Sequence, residues 1–209
     1  MKLKTEIISV SDPGMLIRAV EVLNSGGLVA MPTDTVYGLG ALAFDPDAVD
    51  KIYIAKGRSR EKAIPILIGD LDDIEKVTVN LPLMARLLAE HFWPGPLTLI
   101  VPRGPSIPEA VSTTSGVGVR IPDHPVTRRI LRAAGPVAVT SANLAGYEDP
   151  SNAQEVLEQL DGRISLIIDA GQVGDGLAST VVNCLGSEPV IIRKGPISLE
   201  EITEVLRLE

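Results

Sequence analysis

Short apolar runs rich in β-branched residues alternate along the chain with longer segments whose apolar positions recur at helical spacing. The runs LVAM (28–31), IPILI (64–68), LTLIV (97–101), GVGVRI (116–121), PVAVT (136–140), ISLIID (164–169), STVVNC (179–184) and PVIIR (189–193) predict strands. The helical segments carry start and stop signals. Asp12-Pro13 opens MLIRAVEVLNS, which Gly26-Gly27 closes. Asp45-Pro46 opens DAVDKIYIAK, and Gly57 stands where a C-terminal glycine belongs. Leu81-Pro82 precedes LMARLLAEHFW, which stops at Trp93-Pro94-Gly95-Pro96, and Asp123 starts a short helix that runs through Ala134. Ser151 with Gln154, and Ser198 with Glu201, have capping-box spacing. Helices and strands alternate early and strands cluster late. This predicts an α/β fold with a mixed parallel and antiparallel sheet covered by helices. No repeat or linker interrupts the pattern, so residues 1–209 read as a single domain.

Composition narrows the class. With 209 residues and 45% hydrophobic content the chain has ample material for a core, and a mean hydropathy of +0.24 argues against disorder. No apolar run approaches the ~18 residues that span a bilayer. The start, MKLKTEIISV, lacks the pattern of a signal peptide. Cys184 has no second cysteine to pair with, which fits a reducing cytoplasm, and its run VVNC predicts burial. The net charge of -8 and an aromatic content of 3% argue against a general nucleic-acid binder or a base-stacking platform.

Against that acidic background, Lys56, Arg58, Arg60 and Lys62 occupy every second position just after a predicted helix end. A cationic loop between two ordered elements suggests a place to hold an anion. Other phosphate motifs fail. There is no Walker loop, and Gly38-Leu39-Gly40-Ala41-Leu42-Ala43 lacks the helix that a dinucleotide fingerprint must open. His91 and His124 have no metal-ligand spacing around them; the first reads as structural, the second as a surface or capping residue. Small polar residues do gather at predicted strand ends: Thr33, Asp34 and Thr35 after LVAM, Ser141 and Asn143 after PVAV, Ser179 and Thr180 at a strand start, and Arg193 at the last strand's end. Individually they also read as turns, caps or, for Arg120, a salt-bridge partner. Together with the cationic loop they point to an anionic ligand held by charge, hydroxyls and amides, worked by positioning and charge stabilisation.

The ordered set PTDTVYGLG, KGR with a following Lys, WPGPLT, VGVRIPDHP, SAN, DAG, ASTVV and IRKG, across roughly residues 28–195, resembles the YrdC-like family of threonylcarbamoyl-AMP synthases. The resemblance implies a twisted mixed α/β sheet around a positively lined cavity. It implies a nucleotidyltransferase reaction in which L-threonine, bicarbonate and ATP, with Mg²⁺, give L-threonylcarbamoyladenylate and pyrophosphate. A partner complex then transfers the threonylcarbamoyl group to tRNA. By resemblance, Lys56 and Arg58 are catalytic, facing phosphates and bicarbonate, and both are expected to tolerate alanine without unfolding. Thr35, Arg120, Ser141 and Ser179 match threonine ligands. Arg58, Lys62, Asn143, Ser151 and Arg193 match positions facing ATP. Ser59 replaces a frequent proline, and a histidine frequent in the family near the place of Leu67 is missing. Longer members carry a further C-terminal domain, and the related hydrogenase-maturation carbamoyltransferases carry cysteine repeats that a chain with one cysteine does not have. The rival readings are an RNA-binding module using the same cationic cavity and a non-catalytic nucleotide-binding regulator.

Overall fold

A computed structural model of the chain describes residues 4–174 and 176–207. Its strands are β1 (Glu6–Ser9), β2 (Val29–Met31), β3 (Gly38–Leu42), β4 (Ile66–Leu67), β5 (Leu97–Pro102), β6 (Gly116–Arg120), β7 (Val137–Ser141), β8 (Leu166–Asp169), β9 (Thr180–Asn183) and β10 (Val190–Arg193). Its helices are α1 (Met15–Asn24), α2 (Pro46–Lys56), α3 (Leu83–Phe92), α4 (Pro125–Ala134), α5 (Ala153–Leu160) and α6 (Leu199–Arg207). One ten-stranded sheet runs in the order β1-β8-β2-β3-β7-β4-β6-β5-β9-β10. Pairs β1·β8, β2·β8, β4·β6 and β5·β9 are parallel, and the others are antiparallel. The expected mixed sheet flanked by helices is therefore the observed one.

Period-two alternation along the strands builds two apolar layers. Ala30, Ala138 and Ile167 point into one, where Ile52 of α2, Leu88 of α3, Val156 of α5 and Ile202 of α6 meet them. Their strand neighbours Val29, Met31, Val137, Leu166 and Ile168 point the other way, against Leu23 of α1 and Ile130 and Leu131 of α4. Burying each of the Val, Leu, Ile and Met side chains among these contributes about 1.5–3 kcal/mol. Towards the β5–β9 side the first layer continues through Leu97, Leu99, Val101, Val117, Val119 and Val182. The residues alternating with these, Thr98, Ile100, Gly118, Arg120 and Val181, line an open cavity instead. The site is thus the part of the sheet face that α1 and α4 leave uncovered.

The helix ends refine the sequence reading. Asp45 caps α2 by accepting the Ala48 N–H at 3.1 Å, worth about 1 kcal/mol, and Gly57 ends the helix in the left-handed region at φ +62°. The Ser198–Glu201 box also forms, with the Glu201 N–H donated to Ser198 Oγ at 3.2 Å. Three starts lie further along than expected. Asp12 closes a turn on the Gly14 N–H at 2.7 Å, and α1 begins after Gly14. The N-cap of α4 is His124, which precedes Pro125 at the first helical position, and the Asp123 N–H bonds to Asp34. The N-cap of α5 is Asn152, whose side chain accepts the Glu155 N–H at 2.9 Å, while the Glu155 carboxylate reaches back to Ser151.

Two strands escaped the sequence reading. Strand β1 is a short edge strand of mixed polarity. Strand β3 holds the glycines set aside as a false dinucleotide fingerprint. It lies between β2 and β7, and a Cβ on Gly38 would stand 2.6 Å from Val139 Cγ1. The IPILI run pairs only over Ile66–Leu67. Cys184 is buried, and burial pushes its thiol up to about 12. Among the described residues no helix is long and apolar enough to cross a membrane.

Candidate functional site

The cavity over the uncovered sheet face has a volume of about 750 Å³, within the usual range for small-molecule sites. Arg58, Lys62, Arg120 and Arg193 line it, and Asp149 is the one carboxylate among its lining residues. Hydroxyls from Thr33, Thr35, Thr98, Thr140, Ser141 and Ser179 add acceptors and donors. The floor is partly glycine: a Cβ on Gly118 would approach Pro65 Cβ at 3.1 Å and Thr98 Cγ2 at 3.2 Å. Such a chamber, with Arg120 and the hydroxyls of Thr33, Thr35, Thr98 and Ser179 buried and Lys62 and Arg193 more exposed, suits an anionic ligand.

Arg120, the last residue of β6, is buried and held on three sides. Its Nε donates to Gly95 O at 2.9 Å, Nη1 to Thr35 Oγ1 at 3.1 Å and Nη2 to Asp34 Oδ1 at 2.5 Å. Thr33 Oγ1, 3.0 Å from Thr35 Oγ1, donates to Val36 O and so sets the 33–36 turn. Burial lowers the Arg120 pKa, and Asp34 opposes that shift. A guanidinium keeps its proton in such a setting. Across the cavity, Arg193 Nη2 donates to Ser179 Oγ at 3.0 Å, and Ser179 Oγ lies 2.8 Å from Thr98 Oγ1.

Arg58 follows the Gly57 cap. Its Nε donates to Lys62 O at 3.3 Å and Nη2 to Ala63 O at 3.1 Å, so the guanidinium is braced by the chain entering β4. Burial lowers the Arg58 pKa; it also lowers that of Arg193, on which Arg58 acts as a nearby like charge. An anion among these groups removes both that repulsion and part of the desolvation cost. Arg60 takes no part: it pairs with Asp50 at 2.6 Å and lies 5.8 Å over the Tyr53 ring.

The remaining expected residues are placed differently. Lys56 is the last residue of α2, buried, and absent from the cavity wall. Its Nζ donates to Ser141 O, to Asn143 O at 2.6 Å and to Asn143 Oδ1 at 2.8 Å. The expectation that Lys56 is a loop charge facing phosphate is corrected on that ground: its donors are already directed at the SAN segment. Burial, then Arg58, lowers its pKa to about 8. Asn143 is likewise buried off the wall, its Nδ2 donated to Tyr147 O at 2.6 Å. Ser141 lines the cavity while donating to Asn143 Oδ1 at 2.7 Å. Ser151 lines a neighbouring hollow with Asp149 and Glu155, and its Oγ donates to Glu155 at 3.0 Å. Leu67 lines the main cavity where the family histidine was sought.

The sequence reading missed Thr98, Asp149 and the pairing of Asp34 with Arg120. Thr98 was recoverable, since it alternates with Leu97 and Leu99. Asp149 carried no signal, because its place follows from how the 143–151 loop folds back. No group of three or more His, Cys, Asp or Glu side chains able to hold a metal occurs among the described residues.

Comparison with known proteins adds to this geometry. A family model for Sua5, YciO and YrdC proteins, described as telomere recombination, matches residues 21–195. The chain is 42% identical over 205 residues to a threonylcarbamoyl-AMP synthase of Bacillus subtilis, covering 97% of this chain and 59% of the relative. It is 40% identical over 210 residues to a putative threonylcarbamoyl-AMP synthase of Mycobacterium tuberculosis, covering 98% of this chain and 97% of the relative. Among solved structures, Pyrococcus abyssi Sua5 complexed with L-threonine superposes with a TM-score of 0.92 at 36% identity, covering 97% of this chain and 60% of that one.

Proposed function

This chain belongs to the Sua5, YciO and YrdC family, and on that footing we propose that it is an L-threonylcarbamoyladenylate synthase. The observation that carries the reading is the Arg120 clamp opening onto a chamber lined by Arg58, Lys62 and Arg193. The name of the Bacillus subtilis relative and the L-threonine bound to Pyrococcus abyssi Sua5 support it, although the chain spans under two thirds of either protein.

The chemistry runs in two balanced steps. The threonine amine, after giving up its proton, attacks bicarbonate, and water leaves as the carbamate forms. A carbamate oxygen then attacks the α-phosphorus of ATP, a P–O bond forms, and pyrophosphate departs. This makes the enzyme a nucleotidyltransferase. Arg120 takes the threonine carboxylate as a bidentate partner, and Thr35, Ser141 and Ser179 orient the amino acid. Arg58, Lys62 and Arg193 receive phosphate charge, which grows on the departing pyrophosphate. Asn143, buried off the wall, acts through Ser141, and Ser151 in the adjoining hollow is the residue left to meet the nucleotide. Lys56 acts one layer back, holding Ser141 and Asn143 in place. Mg²⁺ would be held by the phosphates of ATP rather than by a cluster of protein ligands, none of which occurs among the described residues, and would neutralise phosphate charge there; the product would pass to a complex that modifies tRNA. The RNA-binding reading is less favoured, because the relatives are named as synthases and the cationic groups line a chamber sized for a small molecule.

The reading is tested by pyrophosphate release from ATP and Mg²⁺, which should require both L-threonine and bicarbonate. Release that is indifferent to either would refute it.

A further inference from the structure

Among the described residues, two buried side-chain polar atoms lack a hydrogen-bond partner: Asp34 Oδ2 and His124 Nδ1. Buried polar groups are nearly always satisfied, so an exception asks for an explanation. These two belong to one constellation. Asp34 uses its other oxygen twice, accepting Arg120 Nη2 at 2.5 Å and the Asp123 N–H at 3.0 Å. His124 follows Asp123 directly and caps α4. The first turn of α4 is tied back to the same segment, since the Thr127 hydroxyl donates to Pro32 O. The Asp34 carboxylate also acts on the imidazole: burial lowers the His124 pKa, and Asp34 and Asp123 oppose that shift.

We propose that His124 is a positioning residue for Arg120: its Nδ1 edge and Asp34 Oδ2, neither of which has a protein partner, satisfy one another across one water. A carboxylate bonded only through Oδ1 is free to pivot about that atom. Fixed at both oxygens, it presents the Arg120 guanidinium in one orientation toward the cavity. Burial favours a neutral imidazole, and the adjacent anion selects the tautomer that carries its proton on Nδ1. His124 touches no substrate in this account. Its catalytic consequence rests on the reading above, in which Arg120 receives the threonine carboxylate.

Three substitutions separate the roles. His124→Phe keeps a ring and removes both nitrogens. His124→Asn retains a polar atom near the Nδ1 place, and His124→Gln retains one near Nε2 instead. Phe and Gln should raise the threonine KM about tenfold and leave the ATP KM within about twofold. Asn should restore most of the wild-type threonine KM. An unchanged threonine KM in the Phe protein, with a raised melting temperature, would mean an idle unsatisfied group and would overturn the proposal. If the Phe protein does not fold, equal threonine KM values for Asn and Gln overturn it instead. A second readout is independent of turnover. The Arg120 Nε–Hε resonance, assigned by its loss in Arg120→Lys, should shift or broaden in His124→Gln and stay near its wild-type position in His124→Asn. Wild-type protein without threonine-dependent turnover would sink the functional reading alone, and the resonance would still decide the role of His124; a resonance the same in both variants overturns it.

Discussion

Lys56 Nζ stands 2.8 Å from Asn143 Oδ1, and the same ammonium donates to the backbone carbonyl oxygens of Ser141 and Asn143. The C-terminus of α2 is thereby pinned to the segment that follows β7. Two consequences differ from what a loop charge implies. Lys56→Met removes this donor from the carbonyl oxygens of Ser141 and Asn143, while Asn143 Oδ1 keeps the Ser141 hydroxyl; an oxygen left unsatisfied where water does not reach costs about 1–3 kcal/mol. The expected result is a loss of about 2–4 kcal/mol in urea unfolding at pH 7.5, and not only a loss of turnover. Stability also depends on pH through this group. The folded pKa of about 8 lies below the ordinary 10.5, so between those values the unfolded chain holds more protons. Unfolding free energy rises with pH across that window by up to about 1.4 kcal/mol per unit. The Lys56→Met protein should lack this rise, so its deficit relative to wild type should be larger at pH 9.5 than at pH 7.5. An equal deficit at both values would contradict the buried, partly destabilised ammonium.

Arg58, unlike Lys56, follows the end of α2 and lines the cavity. Its guanidinium donates to the exposed stretch at Lys62 and Ala63 and projects into the cavity. Arg58→Ala should cut kcat/KM for ATP by about 100-fold, on the scale of losing a charged transition-state partner, with melting temperature within a few degrees of wild type. Collapse of the fold would reassign Arg58 to a structural role.

On the proposed reading Asp149 opposes phosphate binding. It is the lone carboxylate among the residues lining a cavity with four cationic side chains, and Lys56 and Arg193 both feel its charge. Asp149→Asn should tighten ATP and pyrophosphate binding by about threefold to tenfold, more at low ionic strength than at high. Calorimetric titration at two salt concentrations measures this; weaker nucleotide binding by the variant would instead give Asp149 a ligand-holding role.

Gly174 sits at φ +48°, and a Cβ there would lie 2.1 Å from Thr35 O and 2.9 Å from Asp34 O. Its backbone therefore packs on the turn that carries two of the Arg120 partners. Gly174→Ala forces that turn to move and should cost about 1–3 kcal/mol in stability. It should raise the threonine KM more than the ATP KM. Steady-state kinetics with each substrate varied checks the asymmetry.

Much of the fold was legible because a short apolar run is a local signal. Val29, Ala30 and Met31 carry it within three residues, and Asp45-Pro46 with Gly57 bounds α2 by chain geometry alone. Legibility failed where a residue's neighbour lies far along the chain. Whether Lys56 or Lys62 enters the cavity depends on where Ser141 and Asn143 fall, 85 and more residues away. Glycines in β3 look like loop residues until Val139 of β7 is placed against them. The Asp123 N–H, free in any local reading, is taken by Asp34, 89 residues earlier. The chamber itself is invisible in the pattern. Thr98 and Ile100 alternate with Leu97 and Leu99 as any strand residues do, and only the reach of α1 and α4 leaves them uncovered.

The central claim is that Arg120 and its partners hold threonine in the same chamber where Arg58, Lys62 and Arg193 hold ATP. The most direct test is pyrophosphate release from ATP and Mg²⁺ by the purified protein, with L-threonine and bicarbonate each omitted in turn. The account predicts release only when both are present, with threonylcarbamoyl-AMP formed in equal amount. Release without threonine, or none with the full mixture, would contradict it.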